Sequence, residues 1–317
     1  MLLLTLVVSP KAKVQKAHPA PIDNGLCYAF LRNGDLWTVC DAKRERIHID
    51  HHAFDLTFSA STSSMAFLID KPELRGRTGQ LRSDLVVVDL GQNARRSKSE
   101  VEFRTLVATC GTILGFPVGI GKRPPMDLLT GSPLEFPPNL DFRCTSDRRV
   151  VLGFHDWGTP QESQLVLTVD GKESRTFFAD LGNPGDFDIS SNGRYIAYIG
   201  RNKGRESLCV SEPAGPAACS PMTPGGAYQI FVSDLGVVLY TTDSDKDCGG
   251  ASCRAVAYWR PGLAGPEIIE ANDSNSPQWI TPQAAAALHR WNTSHPAGVL
   301  SQGIVSGRFR PVRRPSA

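Results

Sequence analysis
The eight cysteines carry the most explicit chemistry in this chain of 317 residues. Asn33-Gly34 separates two apolar-rich runs, residues 28–32 and 35–39, and reads as a two-residue type I′ hairpin turn. Counting outward, Arg32 faces Asp35, Phe30 faces Trp37 and Cys27 faces Cys40. The last is a non-hydrogen-bonded pair, with Cα atoms about 4.5 Å apart, at the short end of what a disulfide tolerates. Cys209 and Cys219 bracket the turn Pro213-Ala214-Gly215-Pro216, and Cys248 and Cys253 bracket Gly249-Gly250-Ala251-Ser252. Cys110 and Cys144 remain, and they would tie the base of a long loop. An even count arranged as local staples implies an oxidising compartment, periplasmic or extracellular. Zinc is the rival chemistry, but no Cys-x-x-Cys occurs, and Cys248/Cys253 has no second ligand pair at zinc spacing.

Other constellations fall short of a site. Asp243, Asp245 and Asp247 resemble the start of a calcium loop, but Cys248 stands where glycine is needed and Arg254 where the bidentate glutamate is needed. The run is compatible with weak calcium binding or with a solvated loop tip, and no other cofactor is expected. His48, Asp50 and His52 would share one face of a strand, without a matching ligand set elsewhere. His155-Asp156 could be half of a triad, but no Gly-x-Ser-x-Gly elbow is present. Gly119-Ile120-Gly121-Lys122-Arg123 is not a phosphate loop: Phe116 replaces its first glycine and Arg123 its Ser or Thr. The sequons at Asn272 and Asn292 stand by pattern alone. With 34 basic and 32 acidic residues, nothing in the charge asks for nucleic acid or an anionic membrane.

The elements around these residues are short strands. Phe187-Asp188-Ile189-Ser190 leads through Ser191-Asn192-Gly193 into Tyr195-Ile196-Ala197-Tyr198, then through Asn202-Lys203-Gly204 into a third strand. Such a meander, with 29 glycines and 23 prolines in the chain, marks an all-β sandwich, barrel or propeller. A small or aliphatic residue followed by an aromatic recurs at Ala29-Phe30, Ala66-Phe67, Gly115-Phe116, Gly153-Phe154, Ala197-Tyr198 and Leu239-Tyr240, in steps of 37, 49, 38, 44 and 42 residues. A four-stranded propeller blade has that size; a large sandwich with recurring turns is the competing architecture. Residues 85–90 read as a buried strand, 92–100 as a charged surface loop, and 115–138 as a long proline-rich loop that could hold a partner site. Thr281-Pro282 before Gln283 and four alanines starts a helix to about residue 291.

Ser190-Ser191-Asn192-Gly193, Ile196-Ala197-Tyr198 and Leu208-Cys209-Val210 together resemble the repeat of TolB-like six-bladed propellers, with Ser191 where proline is usual and Asn192 where aspartate is usual. The resemblance covers roughly residues 22–280. It implies protein binding in a bacterial envelope; similar repeats also precede the hydrolase domain of some serine peptidases. The expected molecule is a six-bladed β-propeller of four-stranded antiparallel blades over residues 22–281, with seven blades as the alternative. A truncated signal segment and linker (1–21), a short C-terminal helix and strand (282–307) and a disordered tail (308–317) would flank it. A strand from about Gln278 to Thr281, or the N-terminal segment, would close the ring. The expected function is that of a non-catalytic, monomeric binding or scaffold propeller, without a transmembrane segment, that takes a protein or other ligand on its loop face. The alternative is a hydrolase or lyase with paired carboxylates at the central channel.

Overall fold
The computed structural model describes residues 25–41, 43–49, 53–70, 83–117, 123–134, 140–155, 164–177, 187–202, 205–221, 226–247, 252–271 and 273–294. The expected signal segment, the strand after the helix and the tail lie outside the described residues. In chain order the strands are β1 (Cys27–Arg32), β2 (Asp35–Cys40), β3 (Lys43–Ile47), β4 (Ala53–Ser59), β5 (Ser64–Asp70), β6 (Ser83–Asp89), β7 (Ala94–Val101), β8 (Phe103–Thr109), β9 (Thr112–Pro117) and β10 (Met126–Asp127). They continue with β11 (Leu140–Cys144), β12 (Val150–His155), β13 (Gln164–Val169), β14 (Lys172–Phe177), β15 (Phe187–Ile189), β16 (Ile196–Asn202), β17 (Arg205–Ser211) and β18 (Ala218–Pro221). β19 (Tyr228–Val232), β20 (Val238–Asp247), β21 (Ser252–Trp259), β22 (Glu267–Glu270), β23 (Ser274–Ile280) and the helix α1 (Pro282–Ser294) complete the described chain.

These strands form six antiparallel sheets, the blades of a β-propeller. Blades 2, 4, 5 and 6 are β4–β7, β11–β14, β15–β18 and β19–β22, each with its first strand innermost. Blade 1 has the order β23-β1-β2-β3, so the last described strand is the inner strand of the first blade. That closes the ring and removes its open edge. The closing strand is longer than the sequence suggests, because Ser274 already pairs with Arg32. Blade 3 is β8-β9-β10, and beyond β10 a single bridge, Met126↔Pro133, stands where a fourth strand would run. Proline cannot donate to a ladder, which suits this edge position.

Each second strand is buried on both faces, because each blade is packed between two others. In β1, Ala29 and Leu31 pack towards blade 2, while Tyr28 and Phe30 pack towards Val256 and Tyr258 of blade 6. In β16, Ile196 and Tyr198 meet blade 4, and Ala197 and Ile199 meet blade 6. All six small–aromatic pairs fall on second strands. Two are out of phase. Phe116 and Phe154 pack on the following blade, whereas Phe67, Tyr198 and Tyr240 pack on the preceding one. In blade 3 the vacated position is filled from the inner strand, since a Cβ on Gly115 would lie 2.8 Å from the Phe103 ring.

The inner-to-second turns explain the Ser-x-Asn-Gly motif. Tyr195 N donates to Ser190 Oγ at 2.9 Å, and Arg194 N donates to Asn192 Oδ1 at 2.9 Å. Thr145 and Asp147 repeat this in blade 4, where Val150 N donates to Thr145 Oγ1 at 3.2 Å and Arg149 N to Asp147 Oδ1 at 3.0 Å. Gly193 has φ +72°, and a Cβ there would meet Thr145 Cγ2 at 2.8 Å, so glycine is required by both conformation and space.

Two sequence expectations are corrected. Residues 94–101 form β7, the outermost strand of blade 2, rather than a loop. The 115–138 segment contributes β10 and a turn held by Asp127, whose Oδ1 accepts from Thr112 Oγ1 at 2.8 Å and from Leu129 N at 2.9 Å. The sequon at Asn292 lies in α1. The expected helix is present: Thr281 caps it, with Ala284 N donating to Thr281 Oγ1 at 3.1 Å, and Leu288 and Trp291 seal the core between blades 1 and 2. Among the described residues no helix is long and apolar enough to cross a membrane.

Candidate functional site: the central channel and its mouth
The inner strands β23, β4, β8, β11, β15 and β19 line the channel, and polar side chains on them reach from blade to blade. Asp55 on β4 accepts from Leu106 N of β8 at 2.7 Å and from Thr105 Oγ1 at 3.3 Å. Both carboxylate oxygens of Asp141 on β11 accept from Arg104 of β8, at 2.8 and 2.9 Å. Arg143 on β11 lies 3.9 Å from Asp188 on β15, and Asp188 accepts from Val232 N of β19 at 2.9 Å. Gln229 Oε1 on β19 accepts from Ser276 N of β23 at 3.1 Å. An inner-strand side chain therefore links blade 2 to 3, 3 to 4, 4 to 5, 5 to 6 and 6 to 1. Asp55, Gln229 and Ser276 all sit at register shifts with left-handed backbone, φ 52°, 51° and 50°. A bulge re-aims its residue out of the pleat, and here it serves the inter-blade link.

Burial dominates the electrostatics of this ring. It pushes Asp55 up to about 7, against the opposing pull of the Leu106 amide, the Thr105 hydroxyl and the Arg143 and Arg104 guanidinium groups. It pushes Asp188 up to about 7 as well, against Arg143 and the Val232 amide. Burial also lowers Arg143, opposed by Asp188 and Asp141. Arg143 lies 5.1 Å over the Phe187 ring and donates to Phe142 O at 2.9 Å.

The sign of the pH dependence follows. A carboxyl whose folded pKa is raised holds its proton in the native state after the unfolded chain has lost it. Its stabilising contribution is complete below the unfolded value near 4 and is lost as pH rises through about 7. From pH 5 to pH 8 the unfolding free energy is expected to fall by roughly 2 kcal/mol for each of the two groups. Urea unfolding at both pH values checks this, with Asp55→Asn expected to halve the drop; an unchanged drop contradicts the assignment.

On the face of the inner-to-second turns the channel opens into a cavity of about 510 Å³. Phe58, Ile189, Phe231, Trp279 and Ile280 give it apolar walls, and Ser59, Thr109, Ser191 and Ser233 give it hydroxyls. Leu235, at its rim in the blade 6 turn, is 62 % exposed, one of two large apolar side chains so exposed among the described residues. Cys110 and Cys144 also line the mouth, and their disulfide joins the β8–β9 turn of blade 3 to the inner strand of blade 4. It is thus an inter-blade staple rather than a tie at the base of a loop.

The other sequence candidates are placed as follows. Cys27 and Cys40 are bonded across the predicted hairpin with Cα atoms 4.5 Å apart, and Cys209 is bonded to its register partner Cys219. Cys253 is disulfide-bonded, and Cys248, its expected partner, lies outside the described residues. Asp243, Asp245 and Asp247 lie on β20 rather than in a turn, because the hairpin extends to the pair Asp247↔Ser252. Asp243 accepts from Tyr228 OH at 3.5 Å, and the side chains of Asp245 and Asp247 lie outside the described part. Among the described residues no group of three or more His, Cys, Asp or Glu could hold a metal ion. His48 Nδ1 pairs with Asp35 Oδ1 at 2.8 Å, while Asp50, His52, Asp156 and residues 118–122 lie outside the described residues.

Asp55, Arg104, Arg143 and Asp188 were not expected as site residues. A signal for them does exist: Phe54-Asp55, Phe103-Arg104, Phe142-Arg143 and Phe187-Asp188 each place phenylalanine before a charge, one strand ahead of a small–aromatic pair.

Among solved structures, TolB from Acinetobacter baumannii aligns with a TM-score of 0.53 at 15% identity, over 80% of this chain and 66% of that one. The fold is shared. A nidogen/laminin complex structure aligns with a TM-score of 0.50 at 8% identity, over 80% of this chain and 98% of that one. At these identities the likeness speaks for architecture alone. No family model and no curated protein matches the sequence.

Proposed function
We propose that this chain is a non-catalytic binding propeller of an oxidising, extracytoplasmic compartment, and that it takes a partner protein at the channel mouth. The observation that carries this reading is the cavity of about 510 Å³ on one face, with apolar walls and Leu235 exposed at its rim. Its volume falls within the range of built ligand pockets, which are lined mainly by apolar side chains with a few placed polar groups. Three disulfides among the described residues support the compartment.

The channel carboxylates favour binding over the hydrolase or lyase alternative. A glycosidase needs one carboxyl free to donate a proton and another free to act as base or nucleophile. Asp55, Asp141 and Asp188 instead hold neighbouring inner strands together.

A photo-reactive residue tests the reading. With it at position 235, irradiation in the envelope of the native host should give a discrete crosslinked polypeptide. The same residue at Ile268, on the outer strand of the same blade and 47 % exposed, should not. Equal crosslinking from both positions, or none from 235, contradicts the assignment of the mouth.

A further inference from the structure
We infer that the mouth cavity is shaped for a basic, apolar polypeptide segment: an aliphatic or aromatic residue next to lysine or arginine, presented with a backbone carbonyl towards the channel. The inference rests on the mouth being the binding site. Three observations converge on it.

The first is charge. Asp234 lines the rim of the cavity, none of the described lining residues is Lys, Arg or His, and the other lining carboxylate, Asp188, already has Arg143 as its partner. Asp234 is fixed at the rim, its oxygens accepting from Ser191 Oγ at 2.7 Å and Asn192 N at 3.1 Å. A carboxylate has about four acceptor positions, so these two bonds orient Asp234 and leave it able to take a cation.

The second observation is an unmet donor. Gln278, on inner strand β23, lines the cavity and is 4 % exposed, yet its Nε2 has no hydrogen-bond partner among the described residues. A buried donor left unpaired is costly, and an incoming carbonyl would satisfy it. Cationic side chains have no acceptor, so the group that meets Gln278 is the backbone of the guest, while its basic side chain turns to the rim.

The third is the wall itself, where Phe58, Phe231 and Trp279 offer apolar surface between the deep amide and the acidic rim. A peptide residue with an apolar side chain, its own carbonyl and a basic neighbour satisfies all three.

Panning a phage-displayed random dodecapeptide library on the full chain tests this. Selected peptides should carry Lys or Arg beside Leu, Ile, Phe or Trp. As synthetic peptides they should bind roughly tenfold more weakly to Gln278→Met and severalfold more weakly to Asp234→Asn, the loss of one hydrogen bond and one ion pair. Asp234 is exposed, so its variant keeps the test decisive if Gln278→Met fails to fold. Peptides without a basic bias, or indifferent to both variants, overturn this inference while leaving the mouth as the binding site. No selected peptide, or only peptides that bind Ala60→Trp as well as the natural chain, overturns the reading of the mouth itself.

Discussion

Arg143→Met is expected to lower the unfolding free energy by about 3–5 kcal/mol at pH 8, the usual result of removing one partner of a buried ion pair. The Arg143 side chain is only 7% exposed, and its partner Asp188 is 12% exposed. Without the guanidinium, Asp188 keeps the Val232 amide but loses its counter-charge, and the Phe187 ring loses the cation above it. Methionine fills much of the same volume, so the loss reads charge rather than space. Burial pushes Asp188 up to about 7, so at pH 5 it is already protonated and the same substitution should cost clearly less. Arg149→Met is the control: its bond to Asp170 is well formed at 2.7 Å but exposed, and solvent screens such pairs until they contribute little. Denaturant unfolding of both variants at the two pH values decides. Equal losses at pH 5 and pH 8, or equal losses for Arg143 and Arg149, would mean that the ring is not held by this pair.

The second large effect is expected from Cys110→Ala/Cys144→Ala. The two cysteines are 34 residues apart, against 13 for Cys27/Cys40 and 10 for Cys209/Cys219. On the chain-entropy account the first bond is worth about 4 kcal/mol and the others about 3 each. It also acts where the other two cannot, because it joins two blades while they each join strands within one. Part of that junction survives its removal. Cys110 N still donates to Cys144 O at 2.9 Å, and Thr109 Oγ1 still accepts from Cys144 N at 2.7 Å. Unfolding of the three double variants should therefore rank Cys110/Cys144 as the largest loss. A larger loss for Cys209/Cys219 contradicts the inter-blade role.

The parts of this architecture that were legible in the sequence are those fixed by local chemistry. Asn33 and Gly34 both adopt positive φ, 50° and 74°, and the register counted from them holds as far as Tyr28↔Val39. The six second strands were visible because burial on two faces leaves a continuous apolar run that a charged outer strand lacks. For the same reason β7 reads as a charged loop in the sequence: as the outermost strand of blade 2 it can carry Arg95, Arg96 and Lys98. The channel was hidden for a different reason. Nothing adjacent in the chain tells Asp55 that Leu106 will offer an amide, or Arg143 that Asp188 will face it; ring closure alone creates those pairs. The phase error at Gly115-Phe116 has the same origin, since the side chain that replaces the missing aromatic, Phe103, comes from another strand.

The central claim is that the mouth binds and the channel carboxylates hold the ring. The most direct measurement is the affinity of the polypeptide crosslinked at position 235 for three chains: the natural one, Ala60→Trp and Asp55→Asn. Ala60 is exposed in a turn at the rim of the cavity, whereas Asp55 lies on an inner strand and does not line it. Ala60→Trp should weaken binding at least about tenfold, the effect of a filled subsite, without altering thermal stability. Asp55→Asn should change the pH dependence of stability and leave affinity alone. The opposite pattern, with binding intact in Ala60→Trp and lost in Asp55→Asn, would place the functional site on the carboxylate ring and contradict the account.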